Sequence, residues 1–392
     1  MAGPPETPYR GLRVLELARI LAGPWIGQTL ADLGADVIKV ESAEGDDTRR
    51  WGPPFVANGD GGQDAAYFHA CNRGKRSVVL DFATEDGRRQ ARALAAEADV
   101  LVENFKVGGL AKYGLDYDSL SAVNPRLIYC SVSGFGQDGP DAGRAGYDFI
   151  IQGMSGIMDV TGEPDRPPQK IGVAFADIMS GLYGVIGIQA ALAQRERTGV
   201  GQQVDISLLD TMVGVLANQG LNYLATGRSP RRLGNLHPNI APYEAFAAAD
   251  GWVILAVGND AQFVRLCGLL ELATLTDDPA FASNAGRVAN RPALRAEMEP
   301  AIARWPKQRL IDACLGVGVP AGPINTIEEA FAQPQVIARG LRLELERPGE
   351  ASVPGVPTPL RFSGARLALD TAAPKLGEHA PIAWKPPPAA AE

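Results

Sequence analysis

Residues 13–41 read RVLELARILAGPWIGQTLADLGADVIKVE, and the changes of pattern inside this stretch decide the fold class. RVLELA (13–18) is a short β-rich run. Pro24 to Gly34 then carries Trp25, Ile26, Leu30 and Leu33 at helical spacing, and DVIKVE (36–41) is β-rich again. Gly34 suits a helix C-terminus, where glycine takes the left-handed conformation without a Cβ penalty. Strand, helix and strand in so short a span predict a βαβ unit. The same rhythm continues outward. RSVVLDF (76–82), DVLVENF (99–105) and RLIYCSVSGF (126–135) read as strands, and 84–98 is an amphipathic helix opened by Thr84. An α/β fold follows, with a mostly parallel sheet covered by helices.

Further along, Asp177 to Gly199 reads as one long helix, followed by a strand and a second helix. Residues 226–242 turn rich in Gly, Pro and Asn and read as a linker. Alternating runs then flank Asp250-Gly251, a hairpin signal. The expected organisation is a large α/β part over 1–225, a small α+β domain over 243–319, and a return to the large domain over 320–392. GVPAGPIN (318–325) marks that return, and the Pro/Ala tail PPPAAAE is expected to be disordered.

With 392 residues, 46% hydrophobic and 21% charged, the chain has the composition of a globular protein with room for two domains. Its net charge of −8 argues against a nucleic-acid partner. Cys71, Cys130, Cys267 and Cys314 form no CxxC pair, and His69, His237 and His379 are too few for a multi-histidine metal centre. The N-terminus carries no signal pattern, so a cytoplasmic location is expected. The apolar run 178–193 falls short of the ~20 residues that span a bilayer and reads as a buried helix, with no membrane partner expected.

Asp177 is the one acidic residue in a run of small and apolar neighbours, directly before that helix. Two readings are open. Aspartate is among the best N-caps. A carboxylate flanked by Gly172, Ala174, Ala176 and Gly181 also leaves room for a bulky acyl carrier, and could attack an activated acyl group such as a thioester. Cations and backbone donors for a phosphate-bearing ligand cluster at Arg49-Arg50, at Asn72 to Arg76 (with Lys75), and at Asn104 to Lys112. The first follows the second strand and the last the fourth, and the carboxyl ends of parallel strands form the usual binding edge. Gly134-Phe135 and the turn around His237 are further candidates.

LAGPWIGQTLADLGADVIKVE (21–41), NRGKRSVVLD (72–81), VENF (102–105), SVSGFGQDGP (131–140), GYD (146–148), ADIMSG (176–181), TGVGQQVD (198–205) and LGEH (376–379) together resemble the family III CoA-transferases, also called the CaiB/BaiF family. The resemblance implies a Rossmann-like large domain built from both chain ends, an inserted small domain, and an interlocked homodimer. It makes Asp177 the catalytic nucleophile. It implies CoA binding near the VENF strand end, at Asn104, Phe105 and Lys112; Ala22, Arg49, Lys75 and Arg76 are further expected CoA contacts, and Arg19, Gly134, Phe135, Tyr147 and His237 expected substrate contacts. The partners implied are an acyl-CoA and small carboxylic acids. A coenzyme A thioester is then the substrate, with no permanently bound cofactor and no metal. The stretches 46–55, 145–148, 241–243, 257–263 and 322–325 look most like the succinyl-CoA-dependent dicarboxylate branch, exemplified by succinate–hydroxymethylglutarate transfer. Glutarate or 3-hydroxy-3-methylglutarate is then the acceptor, with Arg19, Arg228, Arg231 or Arg232 holding its far carboxylate. Leu21 stands where the formyl-CoA branch has glutamine. The alternatives are an α-methylacyl-CoA racemase-like enzyme and a non-catalytic CoA-binding protein. Tyr147 stands where the racemase branch has its catalytic histidine, and tyrosine is a poor base at neutral pH.

Overall fold

The structure is a computed structural model that describes residues 6–58, 61–347 and 352–386. Most of the Pro/Ala tail, from residue 387 onward, lies outside the described residues. The chain divides into two units, the first comprising Met1–Ile157, Lys170–Gly227 and Ile337–Glu392.

Six strands make the largest sheet of the first unit. They are β1 (Arg13–Glu16), β2 (Asp36–Glu41), β3 (Arg76–Val79), β4 (Val100–Glu103), β5 (Ile128–Ser133) and β6 (Gln203–Ser207), in the spatial order β3-β2-β1-β4-β5-β6. Every neighbouring pair is parallel, and Val14 of β1 sits opposite Val37 on one side and Val100 on the other. This order reverses direction between β1 and β4. In doubly wound sheets, ligands bind outside the carboxyl ends of the strands at that reversal.

Helices cover both faces, which is why apolar residues of the central strands are buried on both sides of the sheet. On one face Val14, Val37, Val100, Val102 and Cys130 pack with Ile26 and Leu30 of α1 (Ala22–Asp32). Leu15, Ile38, Leu101 and Tyr129 face the other way, onto Ala91, Leu94 and Ala95 of α2 (Glu85–Glu97). The Thr84 hydroxyl caps α2 by accepting from the Gly87 N–H at 3.0 Å. After α3 (Asp148–Met154) comes α4 (Phe175–Thr198), the long helix of this unit. It has 24 residues and is long and apolar enough to cross a bilayer, where the run 178–193 alone reads as too short. Here it packs on α1, and its small residues allow the approach. A Cβ on Gly184 would lie 2.4 Å from Ile26 Cδ1, and one on Gly187 2.7 Å from Val204 Cγ1. Helices α5 (Leu208–Gly214) and α6 (Ala217–Thr226) follow β6.

The second unit comprises Met158–Gln169 and Arg228–Val336. Its antiparallel sheet has β7 (Tyr243–Ala248), β8 (Gly251–Ala256) and β9 (Ala321–Pro323) in the order β9-β8-β7. The hairpin stands where Asp250-Gly251 predicts it, with Ala249-Asp250 as the turn and Gly251 opening β8 opposite Ala248. Phe246, Val253, Leu255, Phe263, Leu266 and Met298 fill its core. Val253 pairs with Pro323, so the segment 318–325 lies inside this unit and the chain leaves it after Val336. Residues 158–169 join it through long-range bonds that local composition does not reveal. The Gly234 N–H donates to the Gly162 carbonyl at 3.0 Å, and Arg232 pairs with Asp159 at 3.0 Å.

Candidate active site

Asp177 lies in the first turn of α4 but does not cap it. The N-cap is Ala174, and Asp177 is the third helical residue. The cap arrives from elsewhere in the chain. Asp148 Oδ1 accepts the Ala176 N–H at 2.8 Å, while its Oδ2 accepts from Gln152 Nε2 at 2.8 Å. Gln152 is fully buried and also accepts the Ile171 N–H at 2.9 Å, tying the approach to α4 onto α3. Two glycines bring Asp148 here. The backbones at Gly134 and Gly146 cross so closely that a Cβ on Gly134 would lie 2.5 Å from Gly146 Cα.

Burial, with the Asp148 carboxylate as the second cause, pushes the Asp177 carboxyl up to about 7. A helix N-terminus favours a carboxylate by up to ~2 kcal/mol. Here burial and like charge outweigh it. Such a group is ionised in about half the molecules at neutral pH. Once ionised it is more basic, and so more nucleophilic, than a solvated aspartate.

Around Asp177 the walls are small residues and aromatic rings. Gly181 follows one turn later on the same helix, and a Cβ there would lie 3.0 Å from the Ala22 carbonyl oxygen and 3.1 Å from Trp25 Cβ. The start of α1 is thereby set against the face that bears Asp177. Tyr67 is pushed up to about 12, chiefly by burial and next by Asp177. Its ring meets Trp51 edge-on with centroids 5.5 Å apart. Tyr67 and Gln152 belong to no motif at their own positions, and only the packing identifies them.

The reversal between β1 and β4 gathers several other candidates. Ala22 opens α1 and is buried. Arg19 and Asn104 face each other across the reversal. The Arg19 N–H donates to Asn104 Oδ1 at 3.0 Å, and Asn104 Nδ2 donates to the Arg19 carbonyl at 2.7 Å. The exposed Arg19 guanidinium pairs with Asp47 at 3.1 Å. Phe105 is half-buried against Phe82, and the exposed Lys112 ammonium lies 4.7 Å from the Tyr113 ring centre. Gly134 and the half-buried Phe135 follow β5, with the Arg144 guanidinium 4.9 Å from the Phe135 ring centre. Tyr147 is exposed beside Asp148.

Three expected CoA contacts are committed elsewhere. Lys75 is buried, and its ammonium donates to Glu16, the Pro24 carbonyl and Asn72 Oδ1, which uses all three protons. Arg49 is buried between Glu41 and Asp64 at 2.7 and 2.9 Å, with its guanidinium 3.7 Å from the Phe68 ring centre. Arg76 grips Asp36 through two bonds of 2.9 and 2.6 Å. Strand β1 carries Glu16 into the interior and β2 carries Asp36 and Glu41, and Lys75, Arg76 and Arg49 respectively neutralise these carboxylates instead of reaching a ligand. His237 lies in the second unit, where its Nδ1 accepts the Asn239 N–H at 3.1 Å. Arg228, Arg231 and Arg232 are in that unit too, Arg232 being paired with Asp159.

A family model for CoA-transferase family III matches residues 9–380. The chain belongs to that family. It is 58% identical to the succinate–glutarate CoA-transferase of Agrobacterium fabrum, over 95% of this chain and 94% of that one. It is 39% identical to the human succinyl-CoA:glutarate CoA-transferase, over 95% and 84% of the two chains. Among solved structures, a CaiB/BaiF family protein from Brucella suis superposes with a TM-score of 0.88 at 62% identity, covering 95% of this chain and 97% of that one. The protein is therefore a CoA-transferase acting on coenzyme A thioesters, and its parallel-sheet α/β fold is that of CaiB/BaiF structures.

Proposed function

We propose that this family III CoA-transferase moves CoA from succinyl-CoA to glutarate or a similar dicarboxylate, with Asp177 as nucleophile. The observation that carries the chemistry is the placement of Asp177: released from capping by Asp148, raised to about 7, and set beside the small residues Ala22 and Gly181. The substrate pair is supported by the names of the Agrobacterium and human relatives.

The reaction proceeds by acyl and thioester exchange. An Asp177 carboxylate oxygen attacks the succinyl thioester carbonyl. The C–S bond breaks, leaving a succinyl–aspartyl anhydride and CoA thiolate. The thiolate attacks the aspartyl carbonyl, expels succinate and forms an enzyme–CoA thioester. A glutarate carboxylate attacks that thioester, giving a glutaryl–aspartyl anhydride and thiolate again. The thiolate then attacks the glutaryl carbonyl, glutaryl-CoA leaves and the Asp177 carboxylate returns. One thioester and one carboxylate enter and one of each leaves, so the bonds balance without an energy source.

Asp148 contributes twice. It fixes the first turn of α4, and its charge keeps the nucleophile basic. The test is a steady-state panel pairing succinyl-CoA with glutarate, 3-hydroxy-3-methylglutarate, oxalate and acetate, run on wild type and Asp177→Asn. The reading predicts the highest kcat/KM for the C5 diacids and no turnover in the variant. An Asp177→Asn enzyme that keeps its activity, or a preference for acetate, overturns it.

A further inference from the structure

Ile20 has a φ of +72°. For a β-branched residue this is an outlier, since the left-handed region brings Cβ against the backbone. Backbone outliers persist only where the surroundings over-determine them, and they cluster at functional sites. This one lies in the turn from β1 to α1, at the reversal of the sheet.

Every backbone polar group of Arg19 and Ile20 is taken by a side chain from another part of the chain. Asn104, just past β4, both donates to and accepts from Arg19, as described above. The Ile20 N–H donates to both carboxylate oxygens of Asp46, at 3.3 and 3.2 Å. The Cys71 thiol lies 3.5 Å from the Ile20 carbonyl as a weak donor. Asp46 is itself buried and paired with Lys39 at 3.0 Å. Two residues beyond the outlier is Ala22, whose carbonyl oxygen is the atom that a Cβ on Gly181 would strike. The turn therefore places the start of α1 against the helix face that bears Asp177.

We infer that Asn104 and Asp46 are positioning residues. Together they hold Ile20 in the left-handed conformation, and so hold the 19–22 turn at the position where the thioester must lie beside Asp177. The inference rests on the reading of Asp177 as nucleophile, and it gives Asn104 a task other than direct contact with CoA. Without the Asn104 clamp, Ile20 relaxes to negative φ in most molecules, because the left-handed conformation is disfavoured about tenfold or more for such a residue. Glycine at position 20 would carry no such bias.

The experiment is steady-state transfer from succinyl-CoA to glutarate by the full chain, comparing wild type, Asn104→Ala and Asn104→Ala/Ile20→Gly. The expected result is a drop in kcat/KM of about tenfold in Asn104→Ala, most of it restored by the added glycine. Unchanged kcat/KM in Asn104→Ala overturns the inference. So does a loss that Ile20→Gly fails to restore, since Asn104 would then act on the ligand directly. If circular dichroism shows Asn104→Ala unfolded, Asn104→Asp takes its place with the same two outcomes. It keeps the acceptor for the Arg19 N–H and loses the donor to the Arg19 carbonyl. A hydroxylamine trap on wild type separates the two readings. No hydroxamate at Asp177 counts against the nucleophile, whereas the clamp is judged by the variant comparison alone.

Discussion

At the scale of single residues, the account turns on one carboxyl group held out of its ordinary range. In the unfolded chain Asp177 titrates near the ordinary aspartate value of 3.8, and in the folded protein burial and the Asp148 charge push it up to about 7. Below both values the group is protonated in both states and folding is indifferent to it. Between them the unfolded chain ionises first, so stability falls as pH rises, and above about 7 the loss is complete. Asp177→Asn does not titrate and places no charge in this buried site. Urea unfolding should therefore find the variant more stable than wild type by roughly 2–4 kcal/mol at pH 8, and equal to it at about pH 3. Equal midpoints at both pH values would contradict the assigned burial. The position of Asp177 is plain in the sequence, because an acidic residue interrupts an apolar run there. Its freedom from capping is not, since the cap comes from Asp148 on another helix. The buried cations show the converse: Arg49 and Lys75 look like ligand contacts until β2 is seen to carry Glu41, and β1 Glu16, into the core.

At the scale of elements, β2 occupies 36–41 as its pattern predicts, whereas the strand read over 99–105 ends at Glu103. The difference has a physical reason. Asn104 turns out of the sheet to bond Arg19, and the Phe105 N–H folds back onto Glu103 Oε2 at 2.7 Å. Helix α1 begins at Ala22, ahead of Pro24, because proline is tolerated in a first turn where its missing N–H would have no partner. Strand order was beyond the reach of periodicity, since a βαβ rhythm does not say where the sheet reverses. The loops at the site depend on close backbone approaches, and Gly134 provides the clearest test. Its would-be Cβ meets main chain, which cannot rotate away. Gly134→Ala should lower Tm by several degrees, equivalent to about 1–3 kcal/mol. It should also lower kcat/KM more than the stability loss explains, because the crossing carries Asp148 to α4. A variant with wild-type Tm and kinetics would show that the crossing tolerates a methyl group.

At the scale of the whole molecule, the first unit leaves large apolar side chains exposed on three of its helices. Phe149, Ile150 and Met154 of α3, Leu182, Tyr183 and Ile186 of α4, and Leu221, Tyr223 and Leu224 of α6 all face solvent. Exposed apolar side chains in such number point to an interaction face. A second copy is the proposed cover, in keeping with the homodimer that the family resemblance implies. Light scattering after size exclusion should give twice the 41.4 kDa chain mass, and a stable monomer at micromolar concentration would contradict it.

The central claim is that Asp177 forms a covalent acyl intermediate. The most direct test is to incubate wild type with succinyl-CoA, quench with hydroxylamine, and map the modified peptide by mass spectrometry. The account predicts a hydroxamate on Asp177, absent from Asp177→Asn. An unmodified Asp177 in enzyme that is turning over succinyl-CoA, or a hydroxamate on another residue, would contradict it.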